Sequence, residues 1–214
     1  MIFESQRLKK EAYALKAFSK YGAVPVLAET DNALLLERIL AGYSLETYLP
    51  TRKDEAWKVI CHIMKRLHQA PLHEKTLFPH IKDLMTILDK DWGMPKEFLE
   101  KARSLKRKLL ETNKKPVLLH GDLRHSNILT NGSEWRVIDP HGVIGYPVNE
   151  TWAFVIDPVA DTHSIANFFN LDVKAVREWY FVHLILSVCW NLNDNQNPNF
   201  FLDLAKSTLP IIQP

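Results

Sequence analysis

Hydrophobic residues in this chain recur mainly at helical steps. Between residues 4 and 20, Leu8, Ala12, Leu15 and Phe18 fall three or four positions apart, which predicts an amphipathic helix. Trp57, Ile60, Ile63, Met64 and Leu67 line one side of a second helix, from about 54 to 69, that stops before Pro71. Further helices are predicted at about 80–91 and 96–113, and then near 148–155, 159–169, 172–192 and 198–208. Strand patterns are few. One pair lies around 24–28 and 33–38, split by the turn-forming Glu29-Thr30-Asp31-Asn32. A second pair, Ile128-Leu129-Thr130 and Trp135-Arg136-Val137-Ile138, is joined at Asn131-Gly132, a dipeptide that favours tight hairpins. No internal repeat, low-complexity tract or long Gly/Ser linker interrupts this order.

Composition changes the picture little. The chain has 214 residues, 46% hydrophobic and 24% charged, enough for a substantial core. A net charge of +2 gives no electrostatic case for nucleic acid or a membrane surface. The basic run from Lys101 to Lys108 is interleaved with leucines and reads as a solvated helix face. Cys61 and Cys189 sit in apolar helical patterns and read as buried free thiols. No apolar run approaches the roughly 20 residues that span a bilayer, and the N-terminus has no secretory apolar region. A cytoplasmic enzyme fits these features. Nine histidines invite a zinc reading, but His62 and His68 fall on different helix faces and have no cysteine at zinc spacing.

Chemistry concentrates in His120–Asp139. Asp122 lies in a His-Gly-Asp turn, Asn127 follows five residues later, and Asp139 twelve beyond that. Phosphoryl transfer from ATP needs a carboxylate to accept the proton of the attacking hydroxyl. It also needs an amide oxygen and a second carboxylate to hold Mg²⁺ against the phosphates. The hairpin turning at Asn131-Gly132 would return Asp139 to Asn127. A plain hairpin with polar ends is the alternative, and the combined spacing argues against it. His120 is expected to orient the turn by hydrogen bonding.

HGDLRHSNIL followed by WRVIDPHGVIGYP resembles the aminoglycoside phosphotransferase family of small-molecule kinases, nearest to streptomycin and hydroxyurea-type antibiotic kinases. LLLERILAGYSL resembles that family's hinge, and KKEAYALKAF its first large helix. The resemblance is strongest over 118–145 and weakest after about 165. It implies an α+β, protein-kinase-like fold: residues 1–40 as the remnant of an N-terminal lobe with the hinge, 41–214 as a helical C-terminal lobe with the catalytic loop. It implies Asp122 as base, Arg124 as a cation near the transferring phosphate, and Asn127 and Asp139 as Mg²⁺ ligands. Glu37 to Ile39 would bind adenine through backbone groups, and Glu11 takes the place of the helix Glu that pairs with a phosphate-holding Lys. Glu150 resembles the acidic residue bracing the catalytic loop, Glu where Asp is usual, while Tyr146 stands where Asp is common.

The chain departs from that pattern at its start. It begins near the first large helix, no Gly-rich segment precedes residue 22, and Lys9 and Lys10 share a helix with Glu11. Two function classes therefore stand: an ATP- and Mg²⁺-dependent kinase acting on a hydroxyl of a small molecule, such as an aminoglycoside of the streptomycin type, and a non-catalytic, truncated kinase-like module that retains a small-molecule pocket. For a cationic acceptor, Asp157, Asp161, Glu178 and Asp194 are candidate carboxylates and Trp152, Trp179 and Trp190 candidate stacking rings. Each also reads as an ordinary surface charge or core aromatic. Finally, Leu34-Leu35-Leu36 suits burial on both faces. The open edge of that hairpin is expected to be covered, either by a second copy in a homodimer through the N-terminal third or by the helix at 4–20.

Overall fold

The computed structural model describes residues 2–72, 77–112 and 115–212, with two compact units drawn from discontinuous segments. The first comprises Met1–Pro79 and Pro116–Phe154. It opens on helix α1, Ile2–Ala17, whose Ala12, Ala14 and Leu15 are buried with the following Phe18. After Gly22 the chain joins the end of the hairpin expected around Asn131-Gly132: Val24 N–H donates to Val137 O at 3.0 Å, and Val137 N–H to Gly22 O at 2.9 Å. This contact splits the strand expected at 24–28. Only β1, Val26–Glu29, pairs with β2, Leu34–Leu36, in an antiparallel ladder with an irregularity after Val26.

Helix α1 packs against β1, with ion pairs from Lys16 to Glu29 at 2.7 Å and from Lys9 to Asp31 at 3.2 Å. The helix thus supplies cover on the β1 side. The leucine run does not have two buried faces in this chain: Leu34 and Leu36 are half-buried, but Leu35 is 59% exposed and Leu27 on the paired strand 61%. A two-stranded ribbon with one helix against it has too little surface on its second face to bury them.

β3 (Tyr43–Ser44), β5 (Ile128–Thr130) and β6 (Trp135–Val137) form a three-stranded antiparallel sheet in the order β3-β5-β6. The turn from 131 to 134 is closed by Asn131, whose Oδ1 accepts the N–H groups of Ser133 and Glu134. β4, Val117–Leu119, pairs with β7, Val143–Gly145. Helix α2, Lys53–Leu67, buries Ile60, Ile63, Met64 and Leu67 as its periodicity predicted. The segment Pro147–Phe154 is helical but wound in the tighter 3₁₀ form.

The second unit comprises His80–Lys115 and Val155–Pro214. It contains α3 (Ile81–Leu84) with a 3₁₀ continuation to Asp89, α4 (Lys96–Thr112), α5 (Ala160–Phe169), α6 (Val173–Asn193) and α7 (Asn199–Ile212). Asn113, the expected end of α4, lies outside the described residues. α6 packs against α4, α5 and α7 and is buried nearly all round from Val176 to Cys189, so it forms this unit's core. Its one buried acid, Glu178, is held by Lys108 Nζ at 2.8 Å. No described helix is long and apolar enough to cross a membrane.

Candidate active site

β4 delivers His120 into the interior of the first unit, where it is fully buried. Its Nδ1 accepts the Asp122 N–H at 3.3 Å, so the ring proton sits on Nε2, which donates to Ile138 O at 3.0 Å. Burial lowers its pKa against the opposing charges of Glu150 and Asp122, which keeps the ring neutral and this tautomer fixed. The expected orienting role of His120 is therefore what the geometry displays. The turn needs glycine next: Gly121 has φ +87°, and a Cβ there would meet Val143 Cγ2 at 3.0 Å and His141 Cβ at 3.1 Å.

The Gly121 N–H donates to Glu150 Oε1 at 2.7 Å, and Glu150 Oε2 receives His68 Nε2 at 2.9 Å. Glu150 is only 3% exposed. Burial alone would raise its pKa. The His68 hydrogen bond and charge, the charge of His120 and the Gly121 N–H outweigh burial and hold the carboxyl below its usual range. The bracing acid expected at Glu150 thus grips the turn itself.

Asp122 leaves this turn half-buried. Its Oδ2 accepts Arg124 Nη2 at 2.8 Å and Asn127 Nδ2 at 3.1 Å, and its main-chain oxygen accepts Asn127 Nδ2 at 2.9 Å. With the amide nitrogen committed to Asp122, the acceptor oxygen of Asn127 is its other polar atom. The register of β5 and β6 pairs Ile128 with Val137, and Ile138 N–H donates to Asn127 O at 3.0 Å. That ladder returns Asp139 to Asn127, as the hairpin spacing predicted. Asp139 has φ +54°, a left-handed conformation that among side-chain-bearing residues is best tolerated by asparagine and aspartate.

One ligand atom from each of Asp122, Asp139 and His141 falls within 4.8 Å of the other two. Two carboxylates this close repel unless a cation lies between or beside them. Arg7 Nη2 is 3.7 Å from Asp139 Oδ1, and Arg124 offsets Asp122. A cavity of about 410 Å³ opens here, lined by Gln6, Arg7, Lys10 and Glu11 of α1 together with Asp139 and His141. Glu11 has a raised pKa, first from burial and then from the charge of Asp139, with Arg7 and His141 pulling the other way.

The hinge residues Glu37 and Ile39 line a different cavity, of about 240 Å³, with Pro25, Arg38, Asn131 and Arg136. The Glu37 N–H goes to Pro25 O at 2.9 Å. In the second unit, Asp161 accepts the N–H groups of Ile156 and Asp157, Asp157 accepts those of Val159 and Ala160, and Trp179 is fully buried; these candidates for acceptor binding hold their own helices. Arg7 and His141 escaped the sequence reading as site residues. His141 lies two residues beyond Asp139, and Arg7 one helical turn before Glu11 on the same face of α1; both spacings were available.

Residues 3–194 match the family described as aminoglycoside/hydroxyurea antibiotic resistance kinase. A streptomycin 3''-kinase from Klebsiella pneumoniae is 35% identical over 128 residues, covering 58% of this chain and 47% of that protein. The chain thus spans about half the length of the curated relative it matches. Among solved structures, a choline/ethanolamine kinase family protein from Mesorhizobium loti superposes with a TM-score of 0.73 at 15% identity, covering 96% of this chain and 79% of that one. The GDP complex of aminoglycoside 2'-phosphotransferase-IIIa gives 0.68 at 14% identity, with 95% and 82% covered. At these identities the likeness is one of fold, and the fold is α+β and protein-kinase-like.

Proposed function

Because this chain belongs to the aminoglycoside/hydroxyurea antibiotic resistance kinase family, we propose that its chemistry is transfer of the ATP γ-phosphate to a hydroxyl of an aminoglycoside-like small molecule, streptomycin being the first acceptor to try. The observation that carries the proposal is the convergence of Asp122, Asn127 and Asp139 on one braced turn and hairpin.

On this reading Asp122 receives the proton of the acceptor hydroxyl. Its carboxylate is aimed by Asn127 Nδ2 and Arg124 Nη2, which limits its freedom before the acceptor arrives. Arg124 is more than half exposed and within reach of charge developing on the transferring group. The Asp139 carboxylate and the Asn127 amide oxygen fit Mg²⁺, a hard cation that takes few protein oxygens and completes its shell with phosphate and water. When bound, Mg²⁺ offsets the charge of the phosphates. Glu11 lines the cavity beside Asp139, and the segment Glu37–Ile39 is assigned to the adenine through its backbone. Residues 1–40 would then carry the N-terminal-lobe and hinge parts, and 41–214 the helical lobe. The reaction is assigned to the cytoplasm, and self-association through the N-terminal third remains part of the proposal.

The test is transfer of labelled γ-phosphate to streptomycin by the wild-type chain and by Asp122→Asn. Label on streptomycin that is lost in the variant supports the kinase. Binding of acceptor with no transfer by either protein would instead support a non-catalytic module.

A further inference from the structure

The first unit holds a further concavity, and its chemistry is the reverse of the carboxylate site. It measures about 620 Å³ and is lined by Lys20, Lys58, Arg66, Arg136, Glu134 and Trp135, none of which belongs to the set Asp122, Asn127 and Asp139. Four cations therefore face one carboxylate. That carboxylate is already committed, since Glu134 pairs with Arg136. Among the described residues neither Lys20 nor Lys58 has an ion-pair partner. Like charges gathered around one hollow repel each other, and an anion in the hollow relieves that repulsion.

Arg66 is held in place as a surface arginine ordinarily is not. Its Nε donates to Tyr21 O at 2.8 Å and its Nη2 contacts Trp135 O at 3.4 Å. The guanidinium lies against Gly22, where any Cβ would collide with it, and Gly22 adopts φ +112°. Two of the five guanidinium donors are thereby used, and three remain. A planar, pre-oriented fork flanked by flexible ammonium groups matches the oxygens of a phosphate monoester. His62, on the same rim, shares a ring-nitrogen hydrogen bond with Lys58 O at 2.7 Å.

Ser133 and His62 add polar lining, and the rest is apolar. Val59 and Ile63 of α2 contribute with the ring of Trp135, itself packed edge-on against Tyr48 at 5.3 Å. A volume in the range of small-molecule sites, with cationic and apolar residues both in the lining, suits an organic anion better than a bare ion. We propose that this cavity is a binding site for a small phosphorylated organic molecule, distinct from the nucleotide and from a cationic acceptor, which the net positive charge of the lining would repel. It lies against β6, the strand that ends two residues before Asp139.

Titration of the full chain with phenyl phosphate and with inorganic phosphate, both in EDTA, tests this by calorimetry. Phenyl phosphate is expected to bind saturably and more tightly than inorganic phosphate. The double variant Lys20→Glu with Lys58→Glu should weaken it at least about tenfold, since both charge partners are reversed, while Arg7→Glu at the carboxylate cavity should leave it unchanged. Both lysines are exposed, and an unchanged melting temperature would show that the double variant folds. Trp135 gives an independent readout: its indole N–H resonance, assigned through Trp135→Phe, should shift on titration. No saturable binding, affinity that follows Arg7, or affinity unchanged in the double variant would each overturn the proposal. Equal affinity for the two phosphates would overturn its organic half. None of these outcomes bears on phosphate transfer, so the kinase reading stands or falls separately.

Discussion

Two antiparallel hairpins in the first unit are built on opposite terms. In the hairpin of β5 and β6, Ile128 and Val137 are fully buried, and the polar residues at its base are tied to one another: His120 to Ile138, Asn127 to Asp122, Glu150 to Gly121 and His68. In the hairpin of β1 and β2, no residue is fully buried, two leucines face solvent, and the ion pairs to α1 join exposed or half-exposed groups. Burial makes each polar partner costly to lose in the first hairpin, whereas solvent can replace partners in the second. Substitutions should therefore be felt at the turn bearing Asp122 and absorbed at the N-terminal ribbon.

The largest effect is expected on transfer. Asp122→Asn removes the proposed proton acceptor while keeping a hydrogen-bonding side chain at the Asn127 amide, so folding should survive. Activity towards the acceptor should fall by about 10²–10⁴-fold, the usual weight of a general base. Steady-state kinetics on a correctly folded variant checks this. Activity within a few-fold of wild type would remove Asp122 from the role and level the two hairpins functionally.

Stability gives the next step down. Glu150→Ala leaves the Gly121 N–H and the His68 ring buried without their acceptor, and breaking such a pair costs roughly 3–5 kcal/mol. Glu150→Gln retains one acceptor oxygen and should cost less. Chemical denaturation measures both, and a loss below about 0.5 kcal/mol for the alanine variant, the size of an ordinary surface change, would mean that the brace is not structural.

The same network has a pH signature. His120 has a folded pKa below the ordinary histidine value of 6.5, so below that pH the unfolded chain takes up the proton first and stability falls with falling pH. Glu150 has a folded pKa below 4.5. Its contribution is fully present above 4.5 and is lost as pH falls through the folded value. Melting temperature should therefore decline in two stages, the first starting near pH 6.5. His120→Asn should flatten the first stage and leave the second. A profile level from pH 7 to 5 in the wild type would contradict a buried neutral His120.

The contrast also explains what the sequence could disclose. The hairpin of β5 and β6 was legible because Asn131 and Gly132 mark the turn, and a two-residue period then fixes which residue faces which. Helices α1, α2 and α6 were legible because their apolar residues persist over many turns. β3, β4 and β7 were not, since two or three residues are too few to show a period, and Val117-Leu118-Leu119 reads equally well as a fragment of buried helix. The leucines at 34–36 misled because a continuous apolar run speaks of what a strand could bury, not of what lies beside it. The spacings of His141 from Asp139 and of Arg7 from Glu11 were open to view, but their meeting at Asp139 depends on the left-handed turn there and on the placement of α1, which spacing alone does not encode.

The smallest effect is expected where the chain looks most vulnerable by eye. Leu35→Ser on the exposed face of β2 removes no described packing partner in the core, so stability should change by less than about 0.5 kcal/mol. Its informative consequence concerns association. If the N-terminal third mediates a homodimer, Leu35 and Leu27 are exposed apolar surface that a second copy would cover. Light scattering over a concentration series would then show a dimer for the wild type and a monomer for Leu27→Ser with Leu35→Ser, with melting behaviour otherwise alike at low concentration. A wild type that stays monomeric at the highest concentration removes the homodimer and leaves α1 as the ribbon's cover. A double variant that unfolds would instead show that this hairpin carries stability its exposure does not reveal.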